Sequence, residues 1–183
     1  GSYAVVASLN NGNYTASNAT GTLTISKGTA TITLSNLTQS WDGLAKPVTA
    51  TTSPAGLSGV SITYNGSSNA PTAVGSYSVV ASLNNANYAA SNATGTLVIT
   101  KANQTITFAA IPDRSLSSGF FNASATASSG LTVTFTSLTT NTCTVSGKKV
   151  TPIATGTCTI GASQAGDANY NPAPTVDQSF QIY

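Results

Sequence analysis

The chain has 183 residues, but only 5% of them are charged, and it carries a formal net charge of +2 with no His. An average soluble domain has about 25% charged residues, so the solubility of this chain depends on the hydroxyl and amide groups of Ser, Thr and Asn. The six basic residues form no stripe with interleaved aromatics, and we expect neither nucleic acid nor an anionic membrane as a partner.

The shortage of ionisable side chains also argues against most kinds of catalysis and metal binding. General acid–base and nucleophilic catalysis recruit His, Glu or paired Asp, whereas this sequence has no His, no Glu and four Asp in separate loops. Two Cys without His are too few ligands for a zinc site. We therefore expect no enzyme, with no catalytic residue, no metal and no cofactor. No apolar run approaches the roughly 20 residues of a membrane span, and we expect no membrane-spanning segment here.

The opening stretch of the chain returns almost unchanged about 74 positions later. Residues 1–27 read GSYAVVASLNNGNYTASNATGTLTISK, and residues 75–101 read GSYSVVASLNNANYAASNATGTLVITK. When the alignment is extended to residues 34 and 108, about 25 of 34 positions are identical. A weaker third copy, TGTCTIGASQAGDANYNPAPTVDQSFQI, covers residues 155–182. The chain is therefore a series of repeats.

Residues 1–27 predict a β-hairpin. Tyr3 and Val5 fall on one face of the first strand, Leu23 and Ile25 on one face of the second, and an Asn-rich turn lies between them. By analogy with the second copy, we expect the C-terminal hairpin of an incomplete repeat. Two strands alone are barely stable, so either a neighbouring module or another chain completes the hairpin, or it is exposed because of where the sequence begins.

Residues 28–101 predict one complete module. Apolar and polar residues alternate over short segments, as at Val60, Ile62 and Tyr64, and turn residues recur about every 8 to 12 positions. No helical periodicity is present. This pattern predicts an all-β sandwich of two antiparallel sheets, with a β-grasp-like arrangement as the alternative.

Residues 102–183 predict a second complete module of a different subtype, which contains both cysteines. Cys143 and Cys158 fall on two predicted strands. A disulfide between them closes a loop of about 15 residues, for which the chain-entropy estimate is about 3 kcal/mol. A structural disulfide indicates an exported protein.

The linkers between these modules are short. Six residues separate Ile25 from Ile32, and six separate Ile99 from Ile106. Linkers of this length restrict how far modules swing, which predicts a rod. Lys27 and Lys101 recur at the same linker position. A self-formed Lys–Asn crosslink would require a carboxylate in a dry core, and Glu is missing, so we expect exposed lysines at the linkers.

The sequence resembles the bacterial immunoglobulin-like and MBG-type repeats of large secreted or surface-anchored adhesin-like proteins. The second module carries the resemblance through SWDGLAKPVTATTSPAGLSGVSITYNGSSNAPTAVGSYSVVASLNNANY, and the third through QTITFAAIPD, CTVSGKKVTPIATGTCTI and ASQAGDANYN. The resemblance implies tandem immunoglobulin-like β-sandwich modules joined by short linkers. It also implies an extracellular or cell-surface location, and a structural stalk or spacer whose partners are neighbouring repeats of the same long chain.

Two alternatives give the repeats a binding role of their own. Glycans could stack on the loop aromatics Tyr14, Tyr88, Tyr170 and Trp41. Other copies of the chain could add strands at the hairpin of residues 1–27 and form a self-assembling filament.

Overall fold

The computed structural model describes every residue, Gly1–Tyr183, and the chain is all-β, as the sequence predicts. The strands are β1 (Ser2–Ala7), β2 (Ala19–Thr24), β3 (Gly28–Thr29), β4 (Thr31–Ser35), β5 (Thr38–Ser40), β6 (Thr49–Ser53), β7 (Val60–Tyr64), β8 (Gly75–Leu83), β9 (Tyr88–Ala89), β10 (Ala93–Thr100), β11 (Ile106–Phe108), β12 (Phe121–Asn122), β13 (Ala125–Ala127), β14 (Thr134–Ser137), β15 (Cys143–Ser146), β16 (Lys149–Pro152), β17 (Gly156–Ser163) and β18 (Val176–Ile182). A three-residue 3-10 turn, Leu116–Ser118, is the one helical element. No helix has the length and apolar character needed to cross a bilayer.

The chain folds into two compact units. The first comprises Gly1–Leu37, Lys46–Pro71 and Ser76–Leu97, and the second comprises Thr38–Ala45, Thr72–Gly75 and Val98–Tyr183.

The first unit contains a sandwich built from β4, β6, β7 and most of β8 and β10. β4 and β6 form an antiparallel pair, while β7, β8 and β10 lie side by side in another sheet. Leu34 of β4 reaches the backbone of β10, because a Cβ placed on Gly95 would lie 3.4 Å from its Cδ1 atom. The two sheets therefore face each other, and the apolar side chains between them are buried: Val48, Val79, Ala81 and Leu97. This arrangement is the predicted sandwich rather than the β-grasp alternative.

A buried tyrosine fixes one strand connection of this sandwich. The side chain of Tyr64, at the end of β7, is 6% exposed, and its hydroxyl oxygen accepts a hydrogen bond of 2.8 Å from the backbone N–H of Val48. Val48 precedes β6 and is itself buried. The phenol thus satisfies a backbone donor that lies outside the strand ladders.

The hairpin at the start of the chain also belongs to the first unit. β1 and β2 pair antiparallel, with Tyr3 opposite Leu23 and Val5 opposite Gly21. Every residue of both strands is exposed. The ladder forms as the alternation predicts, but no apolar face of it is buried.

The second unit contains another sandwich. One sheet has the order β12-β16-β15 and another the order β14-β17-β18, with β11 and β13 as a separate antiparallel pair. Phe121 of β12 meets Phe180 of β18 with the ring centroids 5.6 Å apart, so the two three-stranded sheets pack against each other. In the same unit β5 pairs in parallel with residues 98–100 at the end of β10.

We predict that Tyr64→Phe destabilises the first unit by about 1–3 kcal/mol, because the buried N–H of Val48 would lose its acceptor. Native-state hydrogen exchange of the β7 amides measures this loss. Tyr183→Phe is the matched control, since Tyr183 is 71% exposed and its hydroxyl can be removed at little cost. Equal exchange in the two variants would contradict the role assigned to Tyr64.

Candidate functional site: the linker lysines, their turns and the disulfide

The lysine of the first linker is bound to a turn much further along the chain. Lys27 Nζ donates a 2.6 Å hydrogen bond to the backbone oxygen of Asn85, 58 residues away. The adjacent residues continue the contact, because Gly28 N–H donates to Asn87 O at 2.8 Å. β3 and β9 thereby form a short parallel pair in the first unit.

The second linker makes the same contacts within the second unit. Lys101 Nζ donates a 2.5 Å hydrogen bond to the backbone oxygen of Asp167, 66 residues away. Ala102 N–H donates to Asn169 O at 2.9 Å, and Asn171 N–H donates back to Ala102 O at 2.8 Å. Two linkers of different sequence thus share one mode of attachment, in which the charge of the lysine strengthens the hydrogen bond.

The turns that receive the lysines have a common local geometry. The Asn85 Oδ1 atom accepts hydrogen bonds from the backbone N–H groups of Asn87 and Tyr88, at 2.9 and 3.1 Å. Asp167 Oδ1 caps its turn in the same way, at 2.8 Å to both Asn169 and Tyr170. Because the side-chain oxygen satisfies the amides of the turn, the main-chain oxygen of the first residue remains available to the lysine.

A tyrosine ends each of these turns and packs on protein. The ring of Tyr88 lies so close to Gly28 that a Cβ there would be 3.1 Å from it. The ring of Tyr170 meets Trp41 edge-on, with the centroids 5.2 Å apart. Both tyrosines are half-buried, so these rings are part of the attachment and are not open stacking platforms.

The first copy of the turn is formed but has no lysine bound to it. Asn11 Oδ1 accepts hydrogen bonds from Asn13 N–H and Tyr14 N–H, at 2.8 and 3.1 Å. Tyr14 is 72% exposed, and the backbone oxygen of Asn11 accepts no hydrogen bond from the chain. The same local sequence therefore forms the same turn, with or without an attached linker.

These contacts go beyond the prediction of exposed lysines at the linkers. Both ammonium groups are exposed, as predicted, but each meets a main-chain oxygen rather than a side-chain amide, and neither is placed for a Lys–Asn crosslink. One signal in the sequence could have indicated the pairing. The Asn/Asp-x-Asn-Tyr turn occurs three times, and a linker lysine precedes the second and the third, at Lys27 and Lys101.

The two cysteines are joined in a disulfide, with Cα atoms 5.7 Å apart. Cys143 lies on β15 and Cys158 on β17, so the bond connects the two three-stranded sheets of the second unit. Both sulfur-bearing residues are fully buried in the core, next to Val150 and Ile160 among others. The bond therefore fastens the sandwich from inside.

One concave surface of the first unit is lined without any ionisable side chain. It has a volume of about 700 Å³ and lies beside β3 and β4. Its lining consists of small polar and apolar residues, none of them ionisable: Thr29, Ala30, Thr31, Ile32, Ala89, Ala90, Ser91, Asn92 and Ala93. No group of three or more His, Cys, Asp or Glu side chains is placed to hold a metal ion.

The fold and these attachments define a class of protein, namely a tandem repeat of all-β sandwich modules. Comparison with protein families then identifies the repeat. The family model described as "MBG domain" matches residues 1–29 and again residues 30–103. The two matches together cover more than half of the chain, which belongs to the MBG domain family.

Comparisons with curated proteins and with solved structures add little to the family match. No curated protein matches the sequence. Among solved structures, the chain is similar to one titled "Protocadherin gammaB7 EC3-6 cis-dimer structure", at 12% identity and a TM-score of 0.31. The match covers 91% of this chain and 54% of that chain, so this chain spans about half the length of the protocadherin structure.

We predict that Cys143→Ala combined with Cys158→Ala lowers the free energy of unfolding of the second unit by about 3 kcal/mol. The bond closes a loop of 15 residues, and its loss raises the conformational entropy of the unfolded chain by about that amount. Urea unfolding followed by the fluorescence of Trp41, which lies in that unit, measures the change. Dithiothreitol without urea is the control and should leave the intact mass unchanged, because both cysteines are buried. Rapid reduction of the native protein would contradict the burial described here.

We also predict that Lys101→Ala accelerates hydrogen exchange at Ala102 and Asn171 by about 3- to 10-fold, as expected for the loss of one hydrogen bond of about 1 kcal/mol. Lys148→Ala removes the same charge from an exposed position and is the control. If both variants leave these amides equally protected, the lysine does not hold the linker.

Proposed function

We propose that the chain is a structural spacer, a run of stalk repeats from an extracellular bacterial surface or adhesin-like protein. The observation that carries the proposal is the repeated attachment of each linker lysine to a turn far along the chain. Membership in the MBG domain family supports it, and the buried disulfide is the kind that persists in oxidising, extracellular compartments.

The proposed mechanism is geometric. In this proposal the repeats are residues 28–101 and 102–183, after the hairpin of residues 1–27, and the family matches at 1–29 and 30–103 support the first boundary. Each repeat adds length, and a short linker held by hydrogen bonds limits bending. Few ionisable groups are present, so the dimensions of the spacer should respond little to ionic strength. Its partners are the neighbouring repeats of the same chain.

A self-assembling filament is the second candidate, and one observation favours it. The hairpin of β1 and β2 exposes Tyr3, Val5, Leu23 and Ile25, each by 47% or more. Strand addition from another copy would cover them. The glycan-binding alternative has less support, because Tyr88, Tyr170 and Trp41 pack on protein and only Tyr14 stands open.

Distance measurement between two spin labels tests the spacer. Ser68→Cys and Ala110→Cys place labels on exposed residues of the first and second unit. A spacer gives one narrow distance distribution, which broadens when Lys101→Ala and Asp167→Ala are added and stays narrow with Lys148→Ala. A broad distribution in the protein without these substitutions would refute the spacer.

Mass in solution separates the two candidates. We expect a monomer throughout the micromolar range by sedimentation equilibrium, because a spacer gains length along its own chain. A mass that rises with concentration would favour the filament instead. Substituting Val5→Ser and Leu23→Ser would then restore the monomer if the hairpin is the contact.

A further inference from the structure

A parallel pair of strands joins the beginning of the second repeat, residues 28–101, to its end. β5 lies beside the end of β10, with Ser40 opposite Thr100. The next residue continues the pairing, because Trp41 N–H donates a 2.9 Å hydrogen bond to Thr100 O. A segment near the start of the repeat therefore holds the end of its last strand. The third repeat, residues 102–183, makes the same pairing with different residues.

In the third repeat the pairing consists of backbone hydrogen bonds around a parallel bridge. Arg114 N–H donates to Gln181 O at 2.9 Å, and Tyr183 N–H donates back to Arg114 O at 3.0 Å. Leu116 N–H then donates to Tyr183 O at 2.8 Å. The clamp is our name for this pairing of residues 113–116 with residues 181–183.

Side chains attach both halves of the clamp to the body of the repeat. Asp113 Oδ1 accepts a 2.7 Å hydrogen bond from Gln181 N–H. The guanidinium of Arg114 lies over the ring of Phe121, 4.0 Å from its centroid, and Phe121 meets the buried ring of Phe180 in β18. Displacement of residues 113–116 would therefore break a cation–π contact with the core as well as the hydrogen bonds.

The direction of the two segments decides how the clamp responds to tension along the chain. Tension pulls residues 113–116 from their N-terminal side and residues 181–183 from their C-terminal side. Because the segments are parallel, the two forces act along them in opposite directions, and all the hydrogen bonds between them are strained together. In an antiparallel hairpin pulled at its open end, the bonds would instead break one after another.

We propose that the clamp resists tension along the chain and sets the force at which the third repeat unfolds. The disulfide between Cys143 and Cys158 then limits the extension, because the 15 residues that it closes into a loop stay folded back. This inference deepens the proposed spacer and rests on it, since a stalk that holds two objects apart also transmits any pull between them through each repeat.

The test stretches the full chain at constant force between tethers at its two ends and measures the lifetime of the third repeat. Dithiothreitol identifies the unfolding event. Once the third repeat has unfolded, the reductant reaches the disulfide and should release a further step of about 50 Å, because 15 residues of chain become free to extend.

Leu116→Pro removes one donor of the clamp at little other cost. Leu116 is the first residue of the 3-10 turn, a position that suits Pro, and Ser115 before it is already extended. We expect the lifetime under force to fall about 5-fold, the equivalent of about 1 kcal/mol. Leu116→Ala keeps the N–H and is the matched control, with a change below about 2-fold. Asp113→Ala removes the acceptor of Gln181 N–H and should also shorten the lifetime.

Thr139→Val separates resistance to force from general stability. Thr139 Oγ1 accepts a 2.8 Å hydrogen bond from Thr159 N–H, outside the clamp. Its loss leaves a partly buried donor unpaired and should lower stability in urea at least as much as Leu116→Pro does, yet change the lifetime under force by less than about 2-fold.

Two outcomes would overturn the proposal. One is an unchanged lifetime in both Leu116→Pro and Asp113→Ala, and the other is a set of lifetimes that simply follows the urea stabilities of all the variants. The spacer is tested separately, because the distance between labels at residues 68 and 110 does not depend on the force at which the third repeat unfolds.

Discussion

A two-stranded ribbon cannot bury its own apolar face, and this constraint governs every repeat of the chain. In residues 75–101 the face is closed by the segment that precedes it, and Val79 and Leu97 lose all contact with solvent. In residues 1–27 the corresponding Val5 and Leu23 are 47% and 52% exposed. The hairpin of residues 75–101 therefore buries its apolar face by folding together with the residues that precede it.

Hydrogen bonds donated by Lys and accepted by Asn and Asp side chains order the turns and linkers of this chain. With 5% charged residues, the chain orders its turns through side-chain oxygens of Asn85 and Asp167 and attaches its linkers through Lys27 and Lys101. Each such bond is worth little by itself, on the order of 1 kcal/mol. Their value lies in setting the register of a linker that hydrophobic burial alone would leave undetermined.

One position of the hairpin strand carries a different type of residue in the third repeat than in the second. Cys158 occupies the position that Tyr77 has in the preceding repeat, while Ile160 and Ala162 stay buried like Val79 and Ala81. The aromatic side chain has been replaced by a covalent bond to Cys143 that joins the two sheets. A module of this size buries a small core, and the disulfide adds a covalent connection inside the core of the third repeat.

The sequence by itself determined the strands, the sandwich class, the family and the two cysteines that the structure joins, because alternation, turn residues and repeat spacing are local properties of the chain. The tertiary structure decided which face of which hairpin is buried and which carbonyl each lysine meets. Two hairpins as alike as β1–β2 and β8–β10 have the same local preferences, so their own residues could not distinguish Val5 from Val79. Burial depends on a segment tens of residues away, and the Lys101–Asp167 contact forms only after folding brings 66 residues of chain back to the linker.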